Sequence, residues 1–257
     1  MLKKLTEEDF AVLRCPLESG RQSPSALAPI LVLSIFLQAL MFVLTYVVAA
    51  DATLFPYKEE MFVIHLLITG ILMLFSIIYS IPNVYMKGQK VQYILTVIVS
   101  QNLFGVFFYI CVVFIIGKDK YISEESLLIF TYITLLFGLL IFIVTCIRFY
   151  VLLVKGQYRK ESKKDKLRLK LEFSIQSFLP QIILASISLL FVVQYLVREF
   201  GIAEIETIIM MILFILLFYT MLFVLPEQLV ILYCKYRFDS FNYNKNGKLK
   251  PMGRKGV

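Results

Sequence analysis

The sequence predicts an all-α integral membrane protein: a bundle of six transmembrane helices with both termini in the cytoplasm. Hydrophobic residue types make up 60% of the 257 residues, against about 45–50% in ordinary soluble domains. A soluble protein of this size has too much surface for its volume to bury so many apolar side chains. The apolar residues are also concentrated in six runs, and the basic residues between those runs follow a regular alternation.

Each apolar run is long enough to cross a bilayer, which takes about 20 residues for a helix. Because the hydrocarbon interior contains no water, backbone groups must pair within the segment, and a helix achieves this. The strands of a membrane β-barrel would instead alternate apolar and polar residues, and these runs do not. The predicted helices are 27–50, 61–86, 91–117, 126–154, 172–197 and 205–234.

The distribution of Lys and Arg predicts the orientation. Of the 26 basic residues, 22 lie in the N-terminal segment, the loop after the second helix, the stretch from Arg148 to Lys170, and the C-terminal tail. Cytoplasmic segments of membrane proteins carry an excess of Lys and Arg. We therefore expect a multi-pass protein of the plasma (cytoplasmic) membrane, with both termini inside.

Three regions follow from this topology: a cytoplasmic N-terminal segment (1–26), a transmembrane domain (27–234) and a basic cytoplasmic tail (235–257). In the N-terminal segment, Thr6 and Asp9 have the spacing of a helix cap. We expect a short interfacial helix lying flat on the inner membrane surface, with a partly disordered segment as the alternative. Its apolar residues would share one side: Leu5, Phe10, Leu13 and Leu17.

Polar residues inside the membrane are costly and often mark functional sites. Glu227 follows Pro226 in the sixth run, and Pro180 precedes Gln181 at a similar depth in the fifth. A proline inside a helix frees a backbone carbonyl. Hydrogen bonding between helices is the structural alternative for such polar residues. The predicted substrate or proton site consists of Glu227, Gln228, Gln181, Gln101 and Asn102.

The sequence contains one histidine, His65, which we expect to be an interfacial residue close to the outer surface. A single histidine without partners of ligand type is a poor metal site, and the four cysteines fit no metal motif, so neither a metal nor a cofactor is predicted. Phosphate loops and the usual hydrolase motifs do not occur. We therefore predict that the protein is not an enzyme.

The loop between the fourth and fifth helices is strongly basic. We expect it to bind anionic lipid headgroups or to dock a cytoplasmic or membrane protein partner, with a plain topology anchor as the alternative. Nucleic acid is not an expected partner, because the charges do not cover one face of a soluble domain. The contact residues predicted here are Lys160, Lys163, Lys164, Lys166 and Arg168.

These features favour a non-enzymatic, permease-like or channel-like component of transport or export, with a polar cavity in its cytoplasmic half. The alternative is an accessory or immunity-type protein that binds another membrane protein, and an intramembrane enzyme is a third hypothesis. A permease should contain a polar cavity that includes Glu227. A binding protein should instead have a filled bundle with a polar or small-residue stripe facing outward.

Overall fold

A computed structural model of the chain describes residues 4–163, 165–166 and 203–253. Within these residues the chain is helical and forms no β-strand, apart from one isolated bridge between Tyr243 and Leu249. A 3₁₀ helix at Glu7–Arg14 comes first and another at Asp239–Phe241 comes last. Between them lie α1 (Cys15–Glu18), α2 (Pro24–Val43), a π-helical segment (Leu44–Ala49), α3 (Lys58–Ile78), α4 (Pro82–Lys87), α5 (Gln89–Gln101), a second π-helical segment (Asn102–Val106), α6 (Phe107–Ile116), α7 (Glu124–Val154) and α8 (Ala203–Arg237).

Five helices in the described part of the chain are long and apolar enough to cross a membrane. They correspond to the first four predicted helices and the sixth, which confirms an all-helical chain with several helices of membrane-spanning length. The fifth predicted helix, 172–197, and its Gln181 lie outside the described residues. The five helices are Pro24–Ala49, Lys58–Ile78, Gln89–Ile116, Glu124–Val154 and Thr207–Arg237.

The helix boundaries follow from local chemistry. The Ser23 side chain accepts a hydrogen bond from the amide of Ala26, 3.2 Å away, and Pro24 occupies the first helical position of α2, where its missing N–H is not needed. The second predicted helix, 61–86, is divided, because α3 ends at Ile78 and the chain restarts at Pro82 as the short α4. A proline cannot continue the hydrogen-bond ladder of the preceding helix.

The two ends of the bundle differ in what they carry. At one end, the tail end, the N-terminal segment packs against residues 155–162 and 238–253. At the other, the hairpin end, the amide of Leu54 donates to the carbonyl of Gly117 at 2.8 Å.

Helices α7 and α8 run parallel toward the tail end and pack closely at Gly138, where an added Cβ would lie 2.9 Å from the Leu222 side chain. A parallel pair is the arrangement that the six-helix prediction requires of these two helices.

The tail end is closed by a layer that we call the terminal cap, formed by residues 4–22, 155–162 and 238–253. Its backbone connections are long-range: the amide of Val12 donates to the carbonyl of Tyr158 at 2.9 Å. The hydroxyl of Tyr243 donates to the carbonyl of Leu17 at 2.7 Å. Its buried side chains form one cluster with the ends of α7 and α8. The cap contributes Phe10, Leu13, Leu17, Tyr158, Phe241 and Tyr243, and the helices contribute Leu153 and Ile231.

The predicted N-terminal helix is present, but its apolar side does not lie on lipid. Phe10 and Leu13 are fully buried, and the ring of Phe10 packs 5.8 Å from that of Phe238. This corrects the prediction of a flat interfacial helix. The apolar side is covered because the C-terminal tail folds back over it, a contact between distant segments that local periodicity does not reveal.

An ion pair between Asp9 and Arg159 holds the N-terminal segment against the 155–162 loop, with 2.7 Å between Asp9 Oδ1 and Arg159 Nε. Burial would raise the pKa of Asp9, but hydrogen bonds from Thr6 and Arg159 outweigh it, and the pKa is lowered overall. A carboxyl group with a lowered pKa stabilises the docked form above its free pKa of about 3.9. That stabilisation is lost as the pH falls through the lowered value.

We therefore expect the N-terminal segment to stay docked from pH 7 to pH 5 and to loosen below about pH 4. Electron paramagnetic resonance distances between spin labels at Ser19 and Lys160, which are both exposed, measure this directly. The D9N variant should show the loosened distance at pH 7, whereas E8Q, which changes an exposed acid, should behave like the parent. A distance distribution in the parent that is unchanged down to pH 3 would contradict the expectation.

Candidate functional site

A cavity of about 350 Å³ opens at the tail end between α7 and α8. We call it the Glu227 cleft. Two of its lining residues carry opposite charges, Arg148 from α7 and Glu227 from α8, and its walls are otherwise largely apolar. The lining consists of Thr145, Arg148, Phe149, Leu152, Tyr158, Phe223, Val224 and Glu227.

Both charged residues in the cleft are placed by their helices. Pro226 lies inside α8 directly before Glu227 and cannot donate to the carbonyl four residues earlier, which weakens the helix at this turn. The Arg148 guanidinium lies 5.8 Å from the centre of the Phe223 ring. A cation over an aromatic face is attracted by the ring quadrupole, so Phe223 orients Arg148 within the cleft. Glu227 is partly buried.

Gln101 and Gln228, two further members of the predicted site, connect α5 to α8. The Gln101 amide donates to the Gln228 side-chain oxygen at 3.3 Å and to the Met221 carbonyl at 3.1 Å. This is the hydrogen bonding between helices that the sequence offered as the structural alternative. Gln228 lies two residues after Pro226 on α8, and neither Gln101 nor Gln228 lines the Glu227 cleft.

Asn102 faces away from these residues, toward α2 and α3, and is buried. The predicted site is therefore divided: Gln101 meets α8, whereas Asn102 belongs to a second polar cluster. We call this second group the His65 cluster. Its members are Gln38, Tyr46, His65, Thr69 and Asn102.

The His65 cluster is a continuous chain of hydrogen bonds among helices. His65 Nδ1 lies 3.0 Å from the Tyr46 hydroxyl, and His65 Nε2 lies 2.8 Å from Asn102 Oδ1. The Asn102 amide nitrogen lies 3.3 Å from both Gln38 Oε1 and Thr69 Oγ1. Gln38 is fully enclosed, and its own amide nitrogen has no hydrogen-bond partner among the described residues.

Both π-helical segments contribute to this cluster. Tyr46 lies in the segment Leu44–Ala49, and Asn102 begins the segment Asn102–Val106. A π turn widens the helix and shifts the direction of its side chains, and such turns occur often at functional sites. Here the two widened turns bring a phenol and a carboxamide onto opposite nitrogens of the same imidazole.

His65, which the sequence predicts to be an interfacial residue, is enclosed by protein. The side chain is only 5% exposed, and its ring packs 4.3 Å from that of Phe107. It sits seven residues into α3, about 10 Å from the helix start. The sequence signal for the cluster was the recurrence of Gln38 and Asn102 near the middle of their helices, but it gave no means of pairing them with His65.

A second cavity, of about 380 Å³, lies at the hairpin end. Tyr46 lines it and also contacts His65, so this hairpin cleft reaches the buried cluster through one side chain. The charged residues in its lining are Asp51, Lys58 and Glu59, and the others are Val47, Ala50 and Phe62.

The predicted lipid or partner contacts lie at the tail end. Lys160, Lys163 and Lys166 are exposed, whereas Lys164 and Arg168 lie outside the described residues. Exposure is what contact with a headgroup or a partner requires, and the contact itself stays a prediction. Over the residues that the structure describes, no group of three or more His, Cys, Asp or Glu side chains is arranged to hold a metal ion.

Comparison with known proteins gives no relative: no family model, no curated protein and no solved structure matches this chain. The two clefts and the buried cluster are therefore the features from which function is inferred.

Proposed function

We propose that the protein is a permease-like membrane transport component that binds a small solute in the Glu227 cleft. The observation that carries this proposal is the cleft itself, an opening between two helices of membrane-spanning length that contains one acid and one base. Ionisable residues within membrane helices commonly mark solute or ion pathways. A polar cavity that contains Glu227 is also the feature expected of a permease rather than of a filled binding bundle.

The lining of the cleft indicates the class of solute. Arg148 offers donors for a carboxylate or phosphate, and Glu227 offers acceptors for an ammonium or hydroxyl group. The remaining walls include Phe149, Leu152 and Val224, which suit an apolar side chain. Small-molecule sites commonly combine apolar walls with a few oriented polar groups. We therefore propose small amphipathic solutes, zwitterions above all, as the first class to test.

The outward face of α7 favours transport over an accessory role. Its exposed residues, which include Tyr132, Leu136, Leu140, Ile143 and Ile147, are large and apolar. Its glycine, Gly138, faces α8 instead of the outside. A protein that binds another membrane protein was expected to present a polar or small-residue stripe, and this surface resembles a lipid-facing one.

We propose further that the tail end is cytoplasmic, because the basic segments meet there. The orientation is testable by labelling single cysteines with an impermeant maleimide in intact cells, after the native cysteines are replaced by alanine. A cysteine in place of Tyr121, which is 97% exposed at the hairpin end, should be labelled from outside. One in place of Asn246, exposed in the tail, should be labelled only after permeabilisation, and the opposite pattern would reverse the orientation.

Transport itself is tested with the full-length protein reconstituted into liposomes. Vesicles loaded with a radiolabelled zwitterion from a panel of amino acids and short peptides are diluted into buffer that contains the same unlabelled solute. At least one solute should exchange faster than in protein-free liposomes, and the exchange should saturate. If neither the zwitterions nor matched organic anions and cations exceed the protein-free rate, the transport proposal fails.

A further inference from the structure

We propose that His65 is a buried proton-binding site that receives its proton from the hairpin end through the Tyr46 hydroxyl. The inference concerns the His65 cluster, and it does not depend on the Glu227 cleft or on which solute that cleft binds. The ligand of this site is the proton, and the geometry around the two ring nitrogens of His65 supports the proposal.

On one side of the ring, Asn102 fixes a hydrogen on Nε2. The Asn102 amide nitrogen is directed to Gln38 and Thr69, so its carbonyl oxygen faces His65 at 2.8 Å. A carbonyl oxygen only accepts hydrogen bonds, and Nε2 must therefore donate. This nitrogen carries a proton in both the neutral and the charged form of the ring.

On the other side, Tyr46 accommodates either state of Nδ1. Its hydroxyl lies 3.0 Å from Nδ1 and 3.2 Å from the Met61 carbonyl oxygen. A hydroxyl group has one hydrogen, which rotates to suit its surroundings. When the imidazole is neutral, Tyr46 donates to Nδ1. When Nδ1 is protonated, Nδ1–H donates to the phenol oxygen, and the Tyr46 hydrogen turns to Met61.

The proton step balances without any further reactant. A hydronium ion in the hairpin cleft passes a proton to the phenol oxygen of Tyr46 and becomes water. At the same time the O–H bond that pointed at Nδ1 breaks, and its proton forms the N–H bond of the imidazolium. The phenol keeps one hydrogen throughout, and the net change is one proton moved from water to His65.

The residues of the hairpin cleft and those around the His65 ring determine the route of the proton. Tyr46 lines the hairpin cleft together with Asp51, Glu59 and Lys58, two acids and one base, a balance that favours cations at the mouth. The helices packed around the ring bring Phe42 within 6.1 Å and Phe107 within 4.3 Å of it. Among the residues that the structure describes, Cys111 is a further titratable group close to Tyr46, and its sulfur lies 3.0 Å from the Thr45 hydroxyl.

One buried donor in the His65 cluster is unpaired among the described residues. Gln38 is fully enclosed, yet its amide nitrogen lacks a partner within the described part of the chain. An unsatisfied buried donor destabilises a fold, and in native structures such groups call for an explanation.

Because His65 is the only histidine in the chain, one isotopic label reports on it alone. The full-length protein with ¹⁵N-histidine, reconstituted into lipid bilayers, is measured by solid-state nuclear magnetic resonance between pH 8 and pH 4. We expect Nε2 to be protonated throughout and Nδ1 to change from unprotonated to protonated as the pH falls. Protonation on Nδ1 instead of Nε2 at pH 8, or an Nδ1 that never titrates, would overturn the proposal.

The Y46F variant tests the role of the hydroxyl. It removes a bond that is stronger to the charged than to the neutral ring, so the Nδ1 midpoint should move about one unit toward lower pH. Y132F, which removes a hydroxyl from the outward face of α7, is the matched control and should titrate like the parent. A Y46F midpoint equal to that of Y132F would eliminate Tyr46 as the relay. If Y46F does not fold, V47A, which alters an exposed apolar residue of the cleft lining, should titrate with the parental midpoint, and a displaced midpoint there counts against the relay.

Discussion

Replacement of Glu227 by glutamine is expected to reduce solute exchange by reconstituted protein roughly tenfold or more, the change that corresponds to about 1.4 kcal/mol. Glutamine keeps the shape of the side chain and removes its charge. The cleft then keeps Arg148 but lacks the negative charge that pairs with the cationic part of a zwitterion. The initial rate of labelled-solute exchange in proteoliposomes measures the effect.

Two comparisons make this result informative: one tests folding, and the other tests the loss of an acid elsewhere. The E227Q protein should elute from a sizing column like the parent, because Glu227 is only partly buried and lines a cleft that is open to the surface. The E125Q variant removes an exposed acid from the first turn of α7 and should exchange solute at the parental rate. An E227Q variant with parental exchange would show that the carboxylate takes no part in binding.

The helices were predictable from sequence because a membrane imposes a minimum apolar length on each of them. What the apolar runs could not show was where a run is divided. The second run stays hydrophobic through Ile81, yet α3 ends at Ile78 and Pro82 starts a new helix. Hydropathy indicates whether a segment prefers lipid or water, whereas a proline interrupts the backbone hydrogen bonds of a helix.

The residues of the predicted site fall into two groups for a geometric reason. Gln101 and Asn102 are adjacent, and successive residues on a helix point about 100° apart, since one turn takes about 3.6 residues. They therefore have different neighbours here: the structure directs Gln101 to α8 and Asn102 to α2 and α3. The π turn that begins at Asn102 leaves no mark in hydropathy, so the pairing with His65 could not be derived from the sequence.

The terminal cap was missed because its contacts join the most distant parts of the chain. The Arg14 guanidinium donates to the Lys250 carbonyl at 3.1 Å, and Ser240 donates to the carboxylate of Glu7. Seen separately, the two terminal segments are polar and rich in charged residues, which is typical of disordered tails. Together they bury enough aromatic surface to fold against the bundle.

The F10A variant should release this cap. Phe10 is fully buried, with its ring 5.8 Å from that of Phe238 and 6.4 Å from that of Tyr233. Truncating a buried phenylalanine to alanine costs about 3–5 kcal/mol. Because the cap consists of segments outside the helices of membrane-spanning length, that loss should open the cap locally and leave those helices intact.

Hydrogen–deuterium exchange followed by mass spectrometry measures the opening. Amides in 7–17 and 238–243 should exchange about 100-fold faster or more in F10A, the change that corresponds to about 3 kcal/mol, while the amides of α3 keep their parental rates. The F36A variant is the matched control, since Phe36 is 69% exposed on α2 and its truncation leaves no cavity. Equal exchange in F10A and F36A would contradict a folded cap.

Opening the terminal cap should also affect the Glu227 cleft. Tyr158 lines that cleft, and its backbone carbonyl is held by the amide of Val12 in the N-terminal segment. When the segment leaves, Tyr158 loses this anchor, and one wall of the cleft becomes mobile. F10A should therefore also weaken solute binding, while the histidine titration at the distant His65 cluster stays at its parental midpoint. A change in that midpoint would mean that the two sites are coupled through the bundle.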